Sequence, residues 1–396
     1  MRSTLLYNMT MTPNQEALDR VRLLGYSVTS SLVVFVGIVG NLLSLLVLCS
    51  SRLRGVMYMY LAALTTSNLC VLLFTLPLIL DISKLFKRGN LVFALYQAHF
   101  KIPIINSFMA SSVYIIIIMT VNRFISIHKP MLFKSIHTNR NAKITTACAF
   151  LLGFVIHIPL CLQHKIVCIS KKKDSSTCLW FVSDNNSVSN SGLFLVYLFV
   201  SELFLRFGPI VILAVLNCLI IYKVNKLAKQ RQANLKGIPQ EPLSATSSLP
   251  HTPSPKPHTH SRKHSNVKFS GKMLKLPLKK KTQHYRRSST TSKLSQQLPL
   301  ESADERRLIF VLIALVILFV FCTTPAAFLS LISSPSIVNN LNFQIFCAVA
   351  NNLELMNFAL NFYVYCLCCS DIRRAFKDLF NRWAGVQRTI QSGDVI

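Results

Sequence analysis

Residues 111–130, with the sequence SSVYIIIIMTVNRFISIHKP, decide the fold of this chain. Together with the apolar residues before them they predict a helix long enough to cross a bilayer at ~1.5 Å per residue. Arg123 lies near one end, and its guanidinium would cost about 2.5–3.5 kcal/mol at the bilayer centre. We therefore expect it to reach an interface, water or a partner. A side chain that merely snorkels to the headgroups is the simpler interpretation, but Glu305 offers an acidic partner.

The composition of the whole chain is that of a membrane protein. Of its 396 residues 52% are hydrophobic and only 14% are charged, with a formal net charge of +29. A soluble protein of this length would carry more charged residues. We predict an all-α membrane protein, a seven-helix transmembrane bundle followed by a short amphipathic helix at the inner face. The seven apolar blocks are 24–49, 58–82, 98–127, 143–163, 192–222, 308–333 and 341–368.

Lys and Arg residues predict the orientation of the bundle. They are concentrated after the first, third, fifth and seventh blocks, which places those connections in the cytoplasm and the N-terminus outside. No cleavable signal peptide is recognisable before the first block. The glycosylation sequons at Asn8 and Asn185 both fall outside, in agreement with this orientation. The predicted segments are an extracellular N-terminus 1–23, helices one to five 24–223, a cytoplasmic loop 224–304, helices six and seven 305–369, and an amphipathic helix with tail 370–396.

The loop 224–304 is rich in Pro, Ser, Thr, Lys and His and lacks apolar periodicity, which predicts disorder. Its basic runs are expected to contact anionic lipids, at about 1 kcal/mol per charge. Serines that follow basic residues resemble kinase sites, and phosphorylation would weaken that contact. Nucleic acid is the rival partner for any basic tract, but no stacking aromatics or folded module accompany this one.

Polar residues inside the apolar blocks predict an internal cavity. Glu354, Asn357, Asn361 and Tyr365 recur every three or four residues and share one face of the seventh helix. A polar stripe of this kind must face protein or water. Pro325 predicts a bend in the sixth helix. Candidate ligand-binding residues in the outer half of the bundle are Lys101, Glu202, Arg206 and Glu354.

Glu202 and Arg206 lie one turn apart and can neutralise each other, either as a structural pair or as a pair that lines the cavity. Cys168 and Cys178 can form a local disulfide in the second outer loop, with Cys161 as a competitor. Near the inner end of the seventh helix, palmitoylation and simple packing both remain open for Cys368 and Cys369.

Two other functional classes are disfavoured. A transporter would show internal repeats and paired broken helices, and none are recognisable. An enzyme would require clustered catalytic residues, but no metal-ligand spacing or G-x-S-x-G motif occurs. We predict neither catalysis nor a metal or cofactor.

The chain resembles the rhodopsin-like (class A) G-protein-coupled receptors across all seven helices. The resemblance implies an agonist cavity that opens outside, and activation of a heterotrimeric G protein when the sixth helix swings outward at Pro325. It also implies kinases and arrestin as partners, and residence in the plasma membrane. In this scheme Arg123 pairs with Glu305 at rest, and Tyr365 stabilises the open form. The matching residues are Gly40-Asn41, Leu61-Ala62-Ala63-Leu64, Asn68, Asn122-Arg123-Phe124, Pro130, Pro209, Cys322-Thr323-Thr324-Pro325 and Asn361-Phe362-Tyr363-Val364-Tyr365.

Several positions depart from the family pattern. Asn122 replaces an acid that normally restrains the arginine, so we expect raised basal signalling. Asn68 replaces an Asp, so bound sodium would lack its counter-charge. Thr323 and Phe362 replace the usual Trp and Pro. Ala98 stands near the usual position of a Cys, so the familiar tether to the second outer loop cannot form. The polar cluster that we still expect comprises Asn41, Asn68, Ser112, Asn357 and Asn361.

The residues that remain polar favour a peptide ligand with charged groups. Leu355 replaces the Schiff-base Lys of light-sensing relatives, and Ile105 replaces the Asp of amine receptors. The residues around Ala98, Pro103 and Asn106 resemble those of invertebrate FMRFamide-like neuropeptide receptors. A receptor for a lipid or small carboxylate, or a constitutively active receptor without a diffusible ligand, remains the alternative.

Overall fold

The computed structural model describes residues 13–50, 53–82, 89–170, 178–236, 303–332 and 340–391. The chain divides into two compact units. The first comprises Met1–Lys226 and Glu301–Ile396, and the second is Leu227–Leu300. The structure describes residues 227–236 of the second unit, and they are helical.

The described residues form seven helical spans, several of them built from consecutive segments. The third span lies at the centre and packs against the second and the fourth. Six of the spans are long and apolar enough to cross a membrane. The seventh is less apolar because it carries the predicted polar stripe. It is also interrupted at Leu360. The spans are Pro13–Val21 with Arg22–Thr29 and Ser30–Leu48; Val56–Ile82; Leu91–Leu95 with Tyr96–Phe100 and Lys101–His128; Asn139–His157 with Ile158–Leu162; Gly192–Glu202 with Leu203–Phe207 and Gly208–Lys236; Ala303–Ile332; and Leu341–Ala359 with Asn361–Cys368.

Three spans contain a π-helical segment, at Arg22–Thr29, Tyr96–Phe100 and Leu203–Phe207. The wider turn of a π-helix rotates the side chains that follow it, and such segments occur frequently at functional sites. All three lie in the half of the bundle that carries the connection between the fourth and fifth spans. Pro77 and Pro325 lie inside the second and sixth spans, where each removes a backbone hydrogen bond.

That connection forms an antiparallel β-hairpin, so the fold includes one element that the all-α prediction lacked. Strand β1, His164–Ser170, pairs with strand β2, Cys178–Asp184, from His164 opposite Asp184 to Ser170 opposite Cys178. The β-branched residues Ile166, Val167 and Ile169 favour an extended strand in this segment. We call this end of the bundle the hairpin end and the opposite end the Arg123 end.

The predicted segment boundaries shift at the Arg123 end. The fifth span continues past residue 224 to Lys236, and the sixth begins at Ala303, so both helices extend into the loop predicted to be disordered. The amphipathic helix runs from Ser370 to Gln391 and is longer than the short helix expected. Ile372 and Ala375 on this helix pack into the core of the bundle, whereas Phe380 and Trp383 are exposed. Arg373 donates hydrogen bonds to the last carbonyl groups of the seventh span.

Gly153 allows the third and fourth spans to approach closely. A Cβ atom at this position would lie 2.6 Å from the carbonyl oxygen of Ser107 and 2.6 Å from Ser111 Oγ. We expect Gly153→Ala to destabilise the protein by about 1–3 kcal/mol, because a backbone carbonyl must move. The measurement is the melting temperature of the purified protein. Gly192→Ala is the matched control, since nothing lies within 4 Å of its added Cβ. Equal melting temperatures of the two variants would contradict this prediction.

Candidate functional site

Arg123 points into the protein at one end of the bundle. Arg123 is 5% exposed, and the neighbouring Asn122 is buried as well. The ring of Phe124 stacks on His128 at 4.1 Å between centroids, and Ser126 Oγ donates a hydrogen bond of 2.8 Å to the carbonyl oxygen of Arg123. Protein atoms therefore cover the guanidinium, which disfavours the headgroup interpretation. Glu305, its predicted partner, belongs to the helix Ala303–Ile332, but its side chain lies outside the described part of the structure.

His137 interacts electrostatically with Arg123, and sequence reasoning missed it. A short helix, Pro130–Ile136, follows the third span and brings His137 back to the guanidinium. The imidazole stacks on Phe133 at 4.3 Å. Burial and then the positive charge of Arg123 lower the pKa of His137 below its ordinary value of 6.5. The available signal was the proline at residue 130, which begins a helix rather than an extended loop.

We expect His137 to make this conformation sensitive to acid. Because its pKa is lowered, the neutral imidazole is favoured here, and its contribution to stability is complete above pH 6.5 and falls as the pH drops further. The melting temperature of the purified protein should therefore decrease more steeply below pH 6.5 in the wild type than in His137→Gln. The exposed His128→Gln is the control and should follow the wild type. Parallel curves for the wild type and His137→Gln would refute this role.

Tyr365 is completely buried in the core near the Arg123 end, together with Leu61, Leu315 and Phe319. Its hydroxyl lies beside Thr65. Around Pro325 the hydroxyl of Thr324 donates to the carbonyl oxygen of Val320 at 2.5 Å. The packing around Tyr365 joins the second, sixth and seventh spans into one core, whereas the bond of Thr324 stays within the sixth span.

The predicted polar cluster is divided among different contacts, and Asn68 with Ser112 is the pair formed between two of its members in the described part of the chain. Asn41 Nδ2 donates to the carbonyl oxygen of Phe358 at 3.0 Å and so ties the first span to the seventh. Ser112 Oγ donates to Asn68 Oδ1 at 2.7 Å and ties the third span to the second. Asn357 and Asn361 are both buried on the seventh span. The interruption at Leu360 precedes Asn361 although Phe362 occupies the usual proline position.

Asn352 is a further buried amide that the polar stripe did not include. Its Oδ1 accepts a hydrogen bond of 2.9 Å from Ser30 Oγ, and its Nδ2 donates to the carbonyl oxygens of Gly25 and Ala348, each at 2.7 Å. It therefore fixes the first span against the seventh near the hairpin end. Its position two residues before Glu354 puts it off the three-and-four spacing, which is why the pattern overlooked it.

A cavity of about 490 Å³ lies near the hairpin end and is lined by three of the four predicted ligand-binding residues. This volume is in the range of ordinary small-ligand sites. Lys101, Arg206 and Glu354 supply its charges, and Asp81 lies close enough to interact electrostatically with Lys101. The remaining lining is mostly apolar, with polar contributions from Tyr26, Ser30, Thr75, Asn106 and Asn351.

Arg206 joins the fifth span to the seventh through a buried ionic triad. Its Nε donates to Glu354 Oε1 at 3.0 Å, its Nη2 to Glu354 Oε2 at 3.3 Å, and its Nη1 to Glu202 Oε2. The sequence predicted the Glu202 pair at i, i+4 but not the bond to Glu354. The π-helical segment Leu203–Phe207 carries Arg206, so the local backbone directs this side chain into the bundle.

The hairpin is held to the third span without the disulfide that the family normally uses. Cys168 is bonded to Cys178 within the hairpin, with Cα atoms 5.7 Å apart, and Cys161 is free. His99 Nδ1 forms a hydrogen bond of 2.8 Å with the carbonyl oxygen of Cys161. The amide of Trp180 donates to the carbonyl oxygen of Gly89 at 3.2 Å. Two hydrogen bonds therefore position this loop region against the third span and the residues just before it, and the disulfide closes the hairpin itself.

The predicted modification sites differ in accessibility. Cys369 is fully buried in the core, which favours its packing role, whereas Cys368 is partly exposed and stays the candidate for palmitoylation. Asn185 Nδ2 donates to the carbonyl oxygen of Leu162 at 3.2 Å, and its glycosylation remains a prediction. Asn8 lies outside the described residues.

Comparison with known proteins agrees with the seven-span bundle. A family model described as the 7 transmembrane receptor (rhodopsin family) matches residues 40–371. The chain belongs to this family. It is a multi-pass membrane protein and a G-protein-coupled receptor, and members of the family are receptors rather than enzymes.

Two similar proteins come from Caenorhabditis elegans. The first, named probable G-protein coupled receptor B0563.6, is 27% identical over 384 residues, which cover 95% of this chain and 74% of that protein. The second, named probable G-protein coupled receptor AH9.1, is 22% identical over 383 residues, which cover 94% of this chain and 80% of that protein. Both matches extend over nearly the whole receptor.

Proposed function

We propose that this receptor lies in the plasma membrane with its N-terminus outside and binds an extracellular peptide in the cavity at its hairpin end. The cavity carries charges of both signs, from Lys101, Arg206 and Glu354, within a mostly apolar lining. This single observation carries the proposal, because a peptide offers both apolar side chains and groups of either charge. A volume of about 490 Å³ accommodates one end of a peptide, and the rest would rest on the hairpin.

The bound state would be transmitted through the two ionic contacts of the cavity. A ligand cation competes with Arg206 for Glu354, and a ligand anion competes with Asp81 for Lys101. The first exchange changes how the fifth and seventh spans are held together, and the second changes the interaction between the second and third spans. A ligand can bias a distant equilibrium only by this kind of differential contact. The equilibrium that it biases is an outward movement of the sixth span at Pro325, which frees Arg123 to meet the G protein.

The remaining partners are proposed from the sequence. Heterotrimeric G protein would bind at the Arg123 end, and kinases and arrestin would act on the same side. The basic connection 224–304 would contact anionic lipids; beyond Lys236 it lies outside the described residues up to Ala303. FMRFamide-like neuropeptides are the first peptide class to test, because of the resemblance around Ala98 and Pro103.

The test is a peptide library applied to cells that express the receptor, with G-protein activation as the readout. We expect at least one peptide to activate the wild type and to lose about 10–100-fold in potency on Lys101→Gln, since a hydrogen bond to a charged group contributes ~1.5–3 kcal/mol. Lys143→Gln is the control, because Lys143 is an exposed lysine at the opposite end. Activation by fatty acids or small carboxylates but by no peptide would overturn the peptide proposal and favour the alternative ligand class.

A further inference from the structure

Glu202 belongs to the ionic triad, yet its carboxylate also lines a second cavity that the proposed function does not use. The side chain is 30% exposed and is bound by Arg206 through Oε2. Glu354 is more deeply buried, at 11% exposure, and receives two hydrogen bonds from the same guanidinium. Of the two carboxylates, Glu202 is therefore the one that keeps an oxygen available for another group.

The second cavity is a groove of about 500 Å³ between the fifth and sixth spans. It is distinct from the agonist cavity, which is lined by Arg206 and Glu354 but not by Glu202. Two of its residues, Phe199 at 62% and Leu203 at 46%, are large apolar side chains exposed on the outside of the bundle. In a membrane such side chains face lipid, so the groove opens to the bilayer. Its lining comprises Leu198, Phe199, Glu202, Leu203, Phe207 and Ser330.

The depth of Glu202 makes its charge expensive. It ends the helix of 11 residues that begins at Gly192, so it lies roughly 15 Å along the span at ~1.5 Å per residue. That distance is about half of a hydrocarbon core of ~30 Å. Ionisable residues at this depth normally face protein or water and pair with one another. Glu202 pairs with Arg206 in this way, but it also faces a groove bordered by lipid-exposed residues.

The three groups of the triad together carry a net negative charge. Arg206 contributes one positive charge, and the two carboxylates contribute two negative charges. An uncompensated charge in a low-dielectric setting is strongly unfavourable. A cationic group in the groove would supply the missing charge at the available oxygen of Glu202.

A second groove on the same two spans provides a comparison. It measures about 180 Å³ and is lined by apolar residues with Asn225 as its polar member. It also lies between the fifth and sixth spans, near Ile220 and Phe310, but has no charged residue in its lining. Lipid chains alone would fill it. Of these two grooves, the one at Glu202 has a carboxylate in its lining and the other does not. The carboxylate indicates a ligand with a charged head.

We propose that the groove at Glu202 is a bilayer-facing binding site for a single-chain amphiphile with a primary ammonium head. The ammonium group pairs with Glu202, and the alkyl chain lies along Phe199, Leu203 and Phe207. The ligand reaches this site laterally from the membrane, so it does not pass the hairpin or enter the agonist cavity.

The experiment uses the full-length receptor in nanodiscs of phosphatidylcholine. Three photoactivatable probes of equal chain length are compared: a long-chain primary amine, the corresponding alcohol and the corresponding carboxylic acid. Labelled peptides are mapped by mass spectrometry. We expect the amine to label Gly192–Phe207 of the wild type about tenfold more efficiently than either other probe, the ratio produced by ~1.4 kcal/mol.

Two variants test the site, one by removing its charge and one by filling the groove. Glu202→Gln keeps the shape of the side chain but removes its charge, and amine labelling should fall about tenfold to the level of the alcohol. Ser330→Phe fills the groove without touching the triad and should lower labelling by all three probes. It also decides the question if Glu202→Gln does not fold. Asp184→Asn removes an exposed carboxylate on the hairpin and should leave labelling unchanged.

The outcomes are decisive in both directions. Labelling of the amine that persists in Ser330→Phe, or that is equal for the amine and the acid in the wild type, would overturn the proposal. Equal labelling of the wild type and a folded Glu202→Gln would overturn it as well. Because no agonist is needed, these results are independent of the peptide proposal.

Discussion

Arg206→Met should destabilise the receptor by about 3–5 kcal/mol, the usual cost of removing one partner from a buried ion pair. The guanidinium donates to Glu202 on its own span and to Glu354 on the seventh. Without it two carboxylates face each other in a low-dielectric setting, and the direct bond between the two spans is lost. The melting temperature of the purified receptor should decrease by roughly 6–15 °C.

The triple variant Glu202→Gln, Arg206→Met and Glu354→Gln is the matched control for this prediction. It removes the positive charge and both negative charges, so no uncompensated carboxylate remains. Replacing a whole buried ionic network by neutral groups is often neutral or even stabilising. We therefore expect most of the lost stability to return. A triple variant as unstable as Arg206→Met would mean that packing of the side chain, and not charge, accounts for the loss.

The sequence predicted the architecture well because the bilayer imposes simple rules. Apolar blocks of sufficient length must be helices, and the third helix, which carries Arg123, proved to be the centre of the bundle. The hairpin His164–Asp184 was not foreseen. Its strands are short and lie where the sequence predicts a loop, and the hydrogen bond that fixes it near the third span joins Trp180 to Gly89, which is distant in sequence.

The site was predicted in part, and the missing part is non-local. Spacing along one helix revealed Glu202 with Arg206, because i, i+4 neighbours are fixed by helical geometry. The bond from Arg206 to Glu354 connects residues 148 positions apart. It depends on a π-helical turn that no residue pattern announces. In the same way His137 reaches Arg123 only through the short helix that Pro130 begins.

Asn122→Asp should lower ligand-free signalling about tenfold, because ~1.4 kcal/mol of added restraint on Arg123 changes the active population by that factor. Asn122 is buried directly beside the buried Arg123, at a position where the family usually has an acid. A neutral amide attracts the guanidinium less strongly than a carboxylate does, so the native residue favours release. The measurement is G-protein activation without ligand at equal surface expression.

Two controls separate this charge effect from damage to the fold. Arg123→Ala removes the guanidinium that we propose meets the G protein, so it should abolish signalling, and Asn122→Asp should then have no further effect in that background. Asn217→Asp places a carboxylate at another buried asparagine, on the fifth span, and should not lower basal signalling selectively. If Asn122→Asp left the ligand-free signal unchanged while the receptor remained folded, the restraint on Arg123 would not depend on the charge of residue 122. The sixth span and its connections would then have to supply it.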